Sequence, residues 1–127
     1  MAPYRILVVD DSELVHELAR MALEDTGTGW DVRCVASGAE ALTATATTAP
    51  DAVLLDVEMP DMDGPATVAA LRAQPTTAQT PILFLTGHDD PTERAQLAAL
   101  DVAGVLSKPF AVTDLADQVA DALGWTR

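Results

Sequence analysis

The chain has 127 residues, with 20 Asp or Glu against seven Lys or Arg and a formal net charge of −13. That length is one ordinary domain, and a hydrophobic content of 49% is enough to bury a real core. The acidity argues against nucleic acid and anionic membrane surfaces, whose phosphates need basic partners, and suits a protein that binds cations or a basic partner face.

Five short apolar runs recur along the chain: Ile6–Val9, Val32–Ala36, Ala52–Leu55, Ile82–Leu85 and Val102–Leu106. Their near-continuous hydrophobicity predicts strands buried on both faces, as in a parallel sheet. Between them lie segments of helical period. The first places Leu14, Leu18, Met21 and Ala22 on one face. Ser37 with Glu40 opens the second in a capping-box pattern, followed by a weak Ala/Thr stretch, Thr43–Ala49. Asp63-Gly64-Pro65 opens the third, which runs to about Ala73 and stops before Pro75. Asp90-Pro91 with Glu93 opens the fourth, and Leu115, Val119 and Ala122 share a face of the last. Strand and helix alternate five times with nothing left over, so the expectation is one doubly wound α/β domain over residues 1–127.

The remaining punctuation is plain. Cys34, the one cysteine, lies in an apparent strand and reads as a packing residue in a reducing compartment. The N-terminus carries no apolar stretch long enough for a signal peptide or a membrane span, so a cytoplasmic location is expected. His16 reads as a residue of a solvated helix face. Trp30 and Trp125 read as loop and terminal residues, not as a binding site.

In open parallel sheets ligands bind beyond the carboxyl ends of the strands. There the first strand presents Asp10-Asp11, the third Asp56, the fourth Thr86-Gly87 and the fifth Ser107-Lys108-Pro109. If the strand order is 2-1-3-4-5, the two strands at the switch point both end in carboxylates. Carboxylates that close repel by about 4 kcal/mol per pair at 4 Å and an effective dielectric near 20. They call for a cation or a raised pKa. A hard, oxygen-seeking ion such as Mg²⁺ (or Mn²⁺) is the natural match, because it takes one or two carboxylates and keeps sites for water or phosphate oxygens. Lys108 can hold a phosphate oxygen and the Thr86 hydroxyl can donate to another. Aspartate is a covalent nucleophile toward phosphorus, so the set reads as a phosphoryl-acceptor site. Read singly, Asp10-Asp11-Ser12 could be no more than a helix cap.

The stretches Ile6–Asp11, Asp51–Gly64, Pro81–Gly87 and Lys108–Phe110 resemble, in order and over essentially the whole chain, the receiver domain of two-component response regulators. The resemblance implies a five-stranded parallel sheet in the order 2-1-3-4-5. It implies Asp56 as phosphoacceptor, and Asp10, Asp11, Asp56 and the backbone carbonyl of Glu58 as the Mg²⁺ pocket, with Asp10 often acting through water. It implies Thr86 and Lys108 as the switch and phosphate-contacting residues, and a cis bond before Pro109. The phosphoryl donor would be a histidine kinase or a histidine phosphotransfer protein, and the output would be contact with a downstream protein. Glu58 and His88 occupy the two positions that tune phosphate lifetime in the family. The family often has an aromatic residue three positions before the lysine; here it is Val105, so the usual threonine–aromatic coupling is not available.

Other readings are open at this point. The initiating Met and short tail favour a complete stand-alone receiver, whereas a fragment of a larger hybrid kinase or regulator would look the same. An unphosphorylated interaction module is a further alternative. A haloacid-dehalogenase-type phosphatase needs two aspartates separated by one residue, and Asp10 and Asp11 are adjacent. A flavin module needs a loop of backbone donors where this chain has Asp-Asp-Ser-Glu. Self-phosphorylation and dephosphorylation at Asp56, rather than turnover of a substrate, is therefore expected. The acids Asp90, Glu93, Asp114, Asp117 and Asp121 on the last two helices suggest a basic partner surface.

Overall fold

A computed structural model describes residues 4–24, 28–87 and 90–125. Strands β1 (Arg5–Val9), β2 (Asp31–Val35), β3 (Ala52–Asp56), β4 (Ile82–Thr86) and β5 (Gly104–Ser107) alternate with helices α1 (Glu13–Leu23), α2 (Gly38–Ala44), α3 (Gly64–Ala73), α4 (Pro91–Ala98) and α5 (Leu115–Leu123). The strands form one parallel sheet in the order β2-β1-β3-β4-β5, the doubly wound, flavodoxin-like arrangement expected.

Side chains alternate across the sheet and build two apolar layers. Ile6, Val8, Leu54, Leu83 and Leu85 meet Ala19, Leu23, Leu115 and Val119 of α1 and α5. Leu7, Val9, Val53, Leu55 and Phe84 meet Ala41, Val68, Leu71 and Leu97 of α2, α3 and α4. The three central strands are buried on both faces as expected. The edge strands β2 and β5 are only partly buried, since each lacks a neighbour on one side.

Several expected boundaries shift for identifiable reasons. Strand β2 begins at Asp31, whose N–H donates to Tyr4 O, and ends before Ala36, whose N–H is taken by Glu40 Oε2. Val102 stays outside β5 because a tight Val102 N to Leu100 O bond turns the chain there, so pairing starts at Gly104 opposite Leu83. Helix α2 ends at Ala44, and the Ala/Thr stretch after it is bends and turns. Of the face expected for α1, Ala22 is buried and Leu18 half-buried, and Ala19 and Leu23 complete the buried seam. Leu14 and Met21 stand 64% and 49% exposed. Likewise α5 buries Leu115, Ala116, Val119 and Ala120 while Ala122 is exposed. In both helices alanines form part of the seam, which lets each helix lie close to the sheet and to its neighbour.

The caps follow the sequence. Ser37 Oγ accepts from Glu40 N at 3.1 Å, Asp63 Oδ1 from Ala66 N at 2.9 Å and Asp90 Oδ1 from Thr92 N at 3.0 Å. Such caps contribute about 1 kcal/mol each. Gly124, at φ 70°, closes α5 in the left-handed region and turns the chain so that Trp125 reaches Tyr4. Their rings stack at 3.8 Å, and Trp30 meets both edge-on.

Candidate functional site

Two strand ends converge on one acidic cluster. Asp10, Asp11 and Asp56 each offer an oxygen within 4.8 Å of the others'. Asp10 is 0% exposed and Asp56 5%, while Asp11 is open to solvent. The reason for this geometry is topological. Strands β1 and β3 are neighbours but their helices leave on opposite faces, so a crevice opens between their ends.

Lys108 reaches over the crevice from the end of β5. Its Nζ lies 3.1 Å from Asp10 Oδ2 and 3.1 Å from Asp56 Oδ1. The Lys108–Pro109 bond is cis, as the resemblance implies. Lys108 N donates to Thr86 O at 2.7 Å, which joins the end of β5 to the end of β4. Thr86 itself is 2% exposed at that end.

Charge at the site is unevenly balanced. Burial pushes the Asp56 carboxyl up, the neighbouring Asp10 carboxylate pushes it further, and the hydrogen bond from Lys108 only partly offsets them. Burial alone would lower the Lys108 ammonium, but its hydrogen bonds to Asp10 and Asp56 outweigh that and hold it above its ordinary value. The lysine is thus well compensated, whereas Asp56 is only partly so. A single cation beside three carboxylates leaves the cluster short of positive charge.

The two oxygens of Asp56 differ. Oδ1 accepts from Lys108 Nζ and, at 3.3 Å, from Glu58 N. Oδ2 has no donor among the described residues, and among them no fully buried side-chain oxygen lacks a partner, so Oδ2 is open to the crevice. Asp11 has no hydrogen-bond partner among the described residues. Donors of this kind fit a hard divalent cation: an all-oxygen set, part buried and part exposed, with a free carboxylate at the rim.

Three supporting residues were not legible as such. His16 is half-buried rather than solvated. Its Nε2 lies 2.6 Å from Asp10 O and 3.2 Å from Val35 O, tying the ends of β1 and β2 together. Gly64 N donates to Val57 O at 2.8 Å, and a Cβ there would sit 2.8 Å from Val57 Cα and 2.9 Å from Asp56 O. Only glycine lets α3 begin this close to the backbone of Asp56. Arg94 of α4 donates to Ser107 Oγ at 3.0 Å and to Val105 O at 2.9 Å, so α4 is clipped to the strand that carries Lys108. The sequence held two clues, the close spacing of His16 to Asp10 and of Gly64 to Asp56; the Arg94 contacts depend on a separate strand. Cys34 is half-buried against α1 and its thiol is pushed up by burial, in keeping with a packing role. His88 lies outside the described residues.

The chain matches the response regulator receiver domain family over residues 6–120. Response regulator MprA of Mycobacterium sp. (strain KMS) is 44% identical over 115 residues, which cover 89% of this chain and 47% of that protein. The chain spans about half the length, or less, of the curated relatives it matches. Among solved structures, the Vibrio cholerae chemotaxis protein CheY4 superposes with a TM-score of 0.85 at 33% identity, over 95% of this chain and 99% of that one. The receiver domain of sensor histidine kinase PA1611 from Pseudomonas aeruginosa PAO1, solved with a magnesium ion coordinated in its active-site cleft, has a TM-score of 0.83 at 27% identity, covering 97% and 99%. The chain therefore belongs to the receiver domains of two-component response regulators. Members of this family bind Mg²⁺ at an acidic site and receive phosphoryl groups from histidine kinases. No described helix is long and apolar enough to cross a membrane.

Proposed function

We propose that the chain is a phosphorylation switch in which Asp56 accepts a phosphoryl group from a phosphohistidine on a histidine kinase or histidine phosphotransfer protein. The observation that carries this is the asymmetry of Asp56: Oδ1 is held by Lys108 and by Glu58 N, and Oδ2 faces the crevice without a donor among the described residues. Oδ2 attacks phosphorus in line with the bond to the donor imidazole. The O–P bond forms, the N–P bond breaks, and the imidazole nitrogen keeps the electron pair and takes a proton from solvent. Lys108 is positioned to leave the carboxylate and follow the phosphoryl oxygens, and the Thr86 hydroxyl donates to another of them.

Asp10, Asp11, Asp56 and the Glu58 carbonyl would hold Mg²⁺ or Mn²⁺. Such an ion supplies positive charge that neutralises the acidic cluster and the phosphoryl oxygens. Hydrolysis is the reverse choice of nucleophile: water attacks phosphorus, the acyl O–P bond breaks, and Asp56 and inorganic phosphate are released. Glu58 and His88 tune that lifetime through their access to the attacking water. The chain carries out only this chemistry on itself and is not a turnover enzyme.

Output passes by contact with a downstream protein, through a shift between two conformations. With Val105 in place of an aromatic, the Arg94 clip between α4 and β5 offers the connection. Residues 1–127 act as one receiver domain in the cytoplasm, without nucleic-acid or membrane contacts. A receiver segment of a larger regulator is the second reading, favoured by the chain's spanning less than half of its MprA relatives.

The test is a mass measurement after incubation with a small-molecule phosphodonor. Wild type should gain one phosphoryl group only with Mg²⁺ or Mn²⁺, and Asp56→Asn should gain none. No gain in wild type, even from a phosphorylated kinase, would leave an unphosphorylated interaction module.

A further inference from the structure

Helices α3 and α4 do not close on one another. Between them, beside the loop that follows β3, lies an open groove of about 1010 Å³. Its apolar side includes Met59, Leu97 and Leu100, and Leu100 is 39% exposed, one of the few large apolar side chains so open among the described residues. Its rim carries Glu58, Asp63, Asp90 and Glu93, and no described basic residue lines it. Asp63 and Asp90 each give one oxygen to a helix cap, which leaves their negative charge in place.

We propose that this groove receives a basic amphipathic helix from a protein partner. Apolar side chains on one face of such a helix would cover Leu100 and the small exposed parts of Met59 and Leu97, and flanking Lys or Arg would meet the acidic rim. The backbone argues for a helix rather than a strand. The strand nearest the groove, β4, is paired on both sides by β3 and β5, so no sheet edge is free to accept a new strand there. An occupant must satisfy its own main-chain hydrogen bonds. The eight residues of α4 give the groove a length of ~12 Å, enough for about two turns of a helix. A second copy of the chain is disfavoured, because each copy carries a formal charge of −13 and would bring its own acids to the rim. The groove walls descend from the ends of β3 and β4, where Asp56 and Thr86 stand, but binding itself does not require a phosphoryl group.

The probe is an amidated peptide of ~14 residues, long enough to hold helix on a surface, with Leu and Lys at amphipathic spacing. It is titrated into the unphosphorylated, isotope-labelled full chain near physiological ionic strength and followed by amide chemical shifts. Shifts should concentrate on Val57–Gly64 and Thr92–Leu100, and a Leu/Glu peptide should cause none. Gln96→Lys at the rim and Leu100→Asn on the apolar side should each weaken binding at least five-fold. Gln118→Lys on α5 makes the same charge change away from the groove and should leave binding unaltered. Three results would overturn the proposal: no binding, shifts centred on another face, or equal weakening by Gln96→Lys and Gln118→Lys, which would mean that the peptide reads net charge alone.

Discussion

The two ends of the sheet are built for different work. At the amino end, Tyr4 stacks on Trp125 and both meet Trp30, which is nearly buried. There Arg5 N is held by Asp51 Oδ2, and Arg72 of α3 binds Asp101, Thr77 O and Thr80 O. Arg72 is ion-paired with Asp101, and the aromatic surface is covered. At the carboxyl end three carboxylates face one lysine, and burial and the neighbouring Asp10 push the Asp56 carboxyl above its ordinary range. The same five strands run through both ends. The difference teaches that the fold covers its apolar surface in the core and at the amino end, and leaves the carboxyl end short of positive charge, with an acidic cluster that could hold a metal ion.

The largest effect is expected at the amino end. Trp30→Ala should lower stability by ~3–5 kcal/mol in denaturant unfolding, as for other large-to-small changes in a packed cluster. The folded fraction should still take up phosphate. A variant that folds normally but is not phosphorylated would break the comparison, because it would place chemistry at the amino end.

Next is Gly64→Ala, which forces a Cβ against the Asp56 backbone and should cost about 1–3 kcal/mol, with slower phosphorylation as the site shifts. Arg94→Ala should cost only about 1 kcal/mol, the size of an ordinary hydrogen-bond loss. Its sharper readout is amide exchange. In wild type, phosphorylation should alter exchange in both β5 and α4; in Arg94→Ala the α4 response should fall away. An undiminished response in α4 would show that coupling does not run through the clip.

Much of this was legible in the sequence for a simple physical reason. Buried parallel strands are short, apolar and closed by chemistry-bearing residues, so Ile6–Val9 and Ala52–Leu55 announced both the sheet and the positions of Asp10 and Asp56. Caps were legible because Ser37, Asp63 and Asp90 act on residues two or three positions away. What stayed hidden depends on partners remote in sequence. The seam of α1 was partly misplaced because Leu14 and Met21 outrank Ala19 in hydrophobicity, whereas close packing at the seam selects the alanine. The Arg94 clip and the Val35 carbonyl at His16 exist only once the strands are side by side.

The pH dependence follows from the same imbalance. Asp56 is raised above its ordinary value of 3.8, so the folded chain binds more protons than the unfolded chain between that value and the raised one. Stability therefore falls as pH rises through that window, and the loss persists above it. Lys108 acts in the same sense at higher pH: its contribution is complete below its ordinary 10.5 and is lost as pH rises through its higher folded value.

The most direct measurement is equilibrium unfolding of wild type and Asp56→Asn at neutral pH, first with chelator and then with Mg²⁺. Without metal, Asp56→Asn should be the more stable protein, because it removes a buried carboxylate that burial and Asp10 disfavour. Mg²⁺ should stabilise wild type by ~2.7 kcal/mol at a hundredfold excess over its dissociation constant, and the variant by less. A wild type that is the more stable of the two in chelator, with no response to Mg²⁺, would contradict the account of the carboxyl end.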